Sequence, residues 1–107
     1  MKMSKQKKLE NAGWIVGNTE EFLNLTKEEI VLLEMRRSLA ALLRERRHLQ
    51  GLTQEKMAKL ADTTQARMAK MEAGATEISI DAMLHTLVAV GVGRKRIGLC
   101  LSGRGRR

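Results

Sequence analysis

Proline and tyrosine are absent from the 107 residues, and the chain has one tryptophan, one phenylalanine and one cysteine. Each shortage excludes something. Without proline no helix carries an obligatory internal break, so helix ends must come from capping residues and glycines. A lone Cys100 makes no intramolecular disulfide, and no Cys and His set of metal-ligand size exists. That excludes a disulfide scaffold and a bound metal, and suits a reducing compartment such as the cytoplasm. The longest uncharged stretch, Ala82 to Gly93, holds a His and a Thr and falls well short of the roughly 20 apolar residues of a membrane span. Met1 to Lys8 is basic but no apolar run follows, so a signal peptide is not expected. His48 and His85 have no nearby Cys, Asp and Ser set, so no catalytic residue, no cofactor and no enzyme activity are expected.

What the chain does have is positive charge. Twenty Lys and Arg against twelve Asp and Glu leave a net charge of +8, which favours polyanionic partners, nucleic acid ahead of an anionic membrane or an acidic protein. The excess is uneven. Residues 1–34 carry five basic and six acidic side chains, residues 35–93 nine and six, and residues 94–107 six and none. The last stretch, with Arg94-Lys95-Arg96 and Ser102-Gly103-Arg104-Gly105-Arg106-Arg107, has the composition of a flexible basic tail, either solvated or adding non-specific phosphate affinity. Lys2 to Lys8 reads as a frayed terminus. The length leaves room for one core only.

Between residues 27 and 90 the chain is rich in Ala, Leu, Met, Glu, Lys, Arg and Gln and nearly free of strand-type alternation, so an all-α fold is expected. Thr26-Lys27-Glu28-Glu29 is a capping box, and no breaker follows until Gly51. The spacing predicts one helix over 27–50, or two joined near Ser38, with Gly51 as the left-handed terminator and Leu52 placed for its apolar contact. Thr53 caps a short helix with Met57, Ala58, Leu60 and Ala61 on its inner face, broken at Asp62-Thr63. Thr64 opens the next, with Met68 and Met71 inward and Gly74 as its stop. Ser79 caps a further helix in which Met83, Leu84, Leu87, Val88 and Val90 recur up to Gly91. Seven Met residues are most simply core filler.

Two short helices joined by about three residues, the second exposing a polar and basic face, have the form of a unit that lays one helix in the DNA major groove. The run from Gly51 to Gly74 joins Leu52-Thr53-Gln54, the small Ala58, Thr63-Thr64-Gln65 and Met71-Glu72-Ala73-Gly74. In that order and spacing it resembles the XRE family of helix-turn-helix regulators, the phage repressor and Cro type. The resemblance covers Ser38 to Gly93 and implies a five-helix repressor-like DNA-binding domain. An N-terminal helical extension would comprise residues 1–25, the first part of the long helix residues 26–37, the DNA-binding domain residues 38–93, and the basic tail residues 94–107. It also implies that Thr64, Gln65, Ala66, Arg67 and Lys70 lie where base edges are read, while Gln54, Thr63 and Arg47 lie near phosphates. A Gln suits adenine, a Lys suits guanine, and Ala66 is limited to a thymine methyl. Asp62 replaces the glycine common in the family's turn, and tolerates a left-handed backbone better than most residues. Arg47 and Glu72 occupy positions of an ion pair seen in several members. The alternative is that Arg44, Arg46 and Arg47 are a solvated helix face.

A second, less specific resemblance lies upstream. Gly13-Trp14, Val16-Gly17, Glu21-Phe22-Leu23, Leu25-Thr26 and Glu28-Glu29, leading into a long helix, are similar to HigA-type antitoxins, small regulators encoded beside a RelE-like toxin. This resemblance implies a homodimer on a palindromic operator. It also implies a dimer or partner interface built on Trp14, Phe22, Leu23, Ile30 and Leu33, although these residues equally suit a cap on the domain's own core. The expected function is a DNA-binding autorepressor or antitoxin, with double-stranded DNA as partner and no membrane. Its alternatives are an adaptor of the coactivator type and a non-specific basic DNA binder.

Overall fold

A computed structural model describes residues 24–103. The chain divides into two units, residues 1–33 and 34–107, and five helices follow one another among the described residues: α1 Lys27–Leu49, α2 Gln54–Leu60, α3 Gln65–Glu72, α4 Ile80–Ala89 and α5 Arg94–Leu101. No strand occurs among the described residues. The fold is all-α. Helix α1 runs unbroken through Ser38. Trp14, Phe22 and Leu23 lie outside the described residues, as does the extension over residues 1–23.

Local chemistry sets the helix ends. At Thr26 the reciprocal capping box forms: Glu29 N–H donates to Thr26 Oγ1 at 3.0 Å and Thr26 N–H to Glu29 Oε1 at 2.9 Å. Thr53, Thr64 and Ser79 each accept from the amide three residues ahead, satisfying a donor that the first helical turn leaves unpaired. Helices α1, α3 and α4 stop at Gly51, Gly74 and Gly91, all at positive φ. Each is followed by an amide bonding back across the turn, as Leu52 N–H does to the Arg47 carbonyl at 3.1 Å. Helix α2 stops the same way without glycine. Asp62 has φ 57°, and Thr63 N–H reaches the Ala58 carbonyl at 2.9 Å.

Residues 24–103 contain no Phe, Trp or Tyr, so the core is aliphatic and sulfur-rich. Leu39, Leu43, Met57, Met68, Met71, Met83 and Leu87 are its largest fully buried members. Each contributes about 1.5–3 kcal/mol by leaving water, and the unbranched Met side chains fill gaps that shaped rings cannot. Ala58 is buried between its larger neighbours in this cluster.

Three expectations are corrected here. Residues 94–101 are not a tail but helix α5, which buries Ile97 and Cys100. Cys100 Sγ donates to the Ser38 carbonyl at 3.2 Å. The basic residues of that stretch therefore ride on an amphipathic helix whose apolar side belongs to the core. Leu60 and Val88, which their spacing places on inner faces, are instead 58% and 61% exposed. Helices this short bury a stripe narrower than their apolar content suggests.

Candidate nucleic-acid interface

The candidate surface is built on α2, the turn at Ala61–Thr64, and α3. Met68 and Met71 sink into the core and fix the inner side of α3. Thr64, Gln65, Ala66, Arg67 and Lys70 are all exposed on its other side, while Gln54 and Thr63 are half-buried at its edge. One polar network ties this surface to α1. Gln65 Nε2 donates to Gln54 Oε1 at 3.2 Å, and Gln54 Nε2 donates to Glu72 Oε1 at 3.1 Å. Arg47 donates to the same carboxylate through Nε at 2.7 Å and Nη2 at 3.0 Å, and its Nη1 holds the Leu52 carbonyl at 3.1 Å.

Glu72 is buried, with its side chain only 3% exposed, and a charge there requires the several donors it has. The hydrogen bonds that Arg47 donates to Glu72 raise the Arg47 pKa above its ordinary value, outweighing the opposite effect of burial. Arg47 thus points into the domain and is occupied by Glu72 and Leu52.

The structure brings Gln54, Gln65, Glu72 and Arg47 together and sets Lys70 apart. Lys70 Nζ pairs with Glu77 Oε2 in the loop between α3 and α4, with both side chains more than half exposed. Thr64, Ala66, Arg67, Lys70, Glu77 and Ile78 line a shallow depression running along α3. Lys56 and Lys59 add exposed positive charge on α2. Ile30 and Leu33, from the expected partner interface, are half-buried on α1, and their neighbours Val31 and Leu32 are each 51% exposed.

Several supporting residues escape a reading of the sequence. Arg36 Nη1 donates to the carbonyls of Ala75 and Ile78, Arg44 Nη1 to the carbonyl of Glu72, and Arg46 Nε to the carbonyl of Val90. The Glu72 and Val90 carbonyls lie at the C-terminal ends of α3 and α4, and those of Ala75 and Ile78 in the loop between them; cations from α1 bond to all four. The solvated-face reading is therefore set aside for Arg46 and Arg47, which are half-buried, while Arg44 stays exposed and bonds to the Glu72 carbonyl from the surface. A signal was present in the spacing: Arg36, Ala40, Leu43, Arg44 and Arg47 recur at helical intervals around two buried apolar residues. Nothing local points to Glu77 as the partner of Lys70.

No group of three or more metal-ligating side chains occurs among the described residues, and none of their helices is long and apolar enough to cross a membrane. Searches of the curated proteins and of the solved structures returned no match. A family model described as a helix-turn-helix domain matches residues 38–99, starting within α1 and ending inside α5. With more than half of its length matched, the chain belongs to the helix-turn-helix domain family, a DNA-binding type of module.

Proposed function

We propose that this protein is a sequence-specific transcriptional regulator that places α3 in the major groove of duplex DNA. The observation that carries this reading is the two-sided character of α3. Its inner side is immobilised by Met68, Met71 and the Glu72 network, while Thr64, Gln65, Ala66, Arg67 and Lys70 stay exposed. A rigid helix presenting an amide, a guanidinium and an ammonium matches the donor and acceptor pattern of base edges.

In this reading Gln65 and Lys70 contact bases, with Thr64, Ala66 and Arg67 beside them. Gln54 and Thr63 sit at the edge nearest the phosphates. Arg47 acts from behind by fixing Glu72 and Gln54, and its phosphate role is withdrawn because its donors face inward. One such helix spans only about four to six base pairs, so the protein acts as a symmetric dimer on two half-sites roughly 34 Å apart. The XRE and HigA resemblances make it an autorepressor or antitoxin, with the segment from Trp14 to Leu33 available to a second copy or to a RelE-like toxin.

The test is a footprint of the intact protein on its own promoter, with a random duplex as competitor. A protected palindrome that resists the competitor supports the reading. Uniform protection at all sequences points to a non-specific binder, and no protection, with retention of a transcription factor, points to an adaptor.

A further inference from the structure

The geometry points to Glu77 as a specificity-determining residue that keeps Lys70 from binding phosphate indiscriminately. This inference rests on the DNA-binding reading of α3. The Lys70 ammonium and the Glu77 carboxylate meet at the rim of the depression that Thr64, Ala66, Arg67 and Ile78 also line. The carboxylate therefore belongs to the same exposed surface as the residues assigned to DNA.

Both members stand on anchored backbone. Lys70 belongs to α3, whose Met68 and Met71 are buried on either side of it in sequence. The loop carrying Glu77 is tied down by Arg36, which holds the carbonyls of Ala75 and Ile78, and by the burial of Ile78. The turn into that loop is closed by Ala75 N–H on the Lys70 carbonyl at 3.0 Å. Glu77 is held within reach of Lys70 by this framework and not by a chance excursion of a free loop.

A lone ammonium on a DNA-facing surface gains from every phosphate it meets, whatever the sequence. The Glu77 carboxylate removes that advantage, because it neutralises the ammonium and itself repels phosphate. Leaving Glu77 is then rewarded only where a second set of acceptors replaces the carboxylate, as guanine O6 and N7 do. The pair lowers affinity for random DNA more than affinity for the operator and so widens the ratio between them.

The experiment measures binding of the full chain to a labelled random duplex of about 20 base pairs, from 50 to 200 mM salt, for wild type, Glu77→Gln, Lys70→Ala and the double variant. Helical spectra and melting curves check folding, and Glu77→Asp, which keeps the charge but shortens the reach, provides a second perturbation of the pair. Glu77→Gln should tighten random binding and steepen the slope of log K against log salt by about 0.9, the increment for one more neutralised phosphate. Its advantage over wild type then grows about 3.5-fold on going from 200 to 50 mM salt. In the Lys70→Ala background the gain should vanish, and Glu77→Asp should show part of it. An equal gain with and without Lys70 overturns the proposal, since Glu77 would then act as a plain repulsive charge, and so does no gain at all while wild type binds. Absence of wild-type duplex binding strikes the DNA-binding reading itself, and this inference with it.

Discussion

Arg47 and Glu72, 25 residues apart in sequence, meet as a two-point ion pair, Nε to Oε2 at 2.7 Å and Nη2 to Oε1 at 3.0 Å. The carboxylate also receives Gln54, so one buried charge joins α1, α2 and α3. Removing it strands a guanidinium that is 16% exposed.

The first prediction concerns that pair. Glu72→Ala should cost about 3 kcal/mol, the low end for breaking a buried pair because Arg47 keeps some access to water. Arg47→Lys should not preserve the full stability, since an ammonium lacks the planar fork. Urea denaturation at constant slope reads both. The pH dependence follows from the raised Arg47 pKa. A cation with a raised folded-state value contributes fully below its unfolded value and loses that contribution only as pH climbs through the folded value. The Arg47 contribution should thus be flat from mild acid to mild base and fall only in strong alkali.

The second prediction concerns the α2 to α3 turn. Asp62, at φ 57°, is the one described non-glycine residue with positive φ, a region that disfavours side chains by roughly 1 kcal/mol. Asp62→Gly should raise stability by up to about 1 kcal/mol, visible as a melting-temperature increase of a few degrees. Gly91→Ala should do the reverse and more strongly. It combines φ 95° with a Cβ that would lie 2.7 Å from Arg46 Nη2, displacing the guanidinium from the Val90 carbonyl.

The third prediction separates reading from positioning. Gln65→Ala should cost roughly 1–3 kcal/mol on the operator and little on random DNA. Gln54→Ala removes both the bond to Gln65 and the bond to Glu72, so it should weaken operator binding and also lower stability. Equal losses on both duplexes for Gln65→Ala would remove it from the base-reading set.

The fourth prediction concerns the last residues. Deleting residues 104–107 removes Arg104, Arg106 and Arg107 and spares α5. If these charges meet phosphates, the salt slope should flatten by roughly 0.9 for each phosphate left unneutralised, with operator preference unchanged. An unaltered slope assigns them to solvent.

Thr26, Thr53, Thr64 and Ser79 as caps, and Gly51, Gly74 and Gly91 as terminators, were legible in the sequence because each acts within about five residues. The same holds for Met68 and Met71, whose spacing alone places them on one side of α3. Helix α5 was not legible. Gly93 supplies no side-chain cap, and Arg94-Lys95-Arg96 with Gly98 looks like a solvated arm. The segment is helical because Ile97 and Cys100 find the core, and Cys100 finds Ser38, 62 residues away.

Sequence alone determined the all-α architecture, the order of helices α1 to α4 and the inward placing of Met68 and Met71 on α3, since these depend on composition, period and short-range caps. The tertiary structure decided which charges find a partner within the domain. Arg36, Arg44, Arg46 and Arg47 look like surface cations, yet each donates to a group between 5 and 44 residues away, most of them more than 20. It also decided that Lys70 faces Glu77. Charge is counted in a sequence, but its partner is set by how the helices pack, because a Coulombic contact acts through a few ångströms of space whatever length of chain lies between.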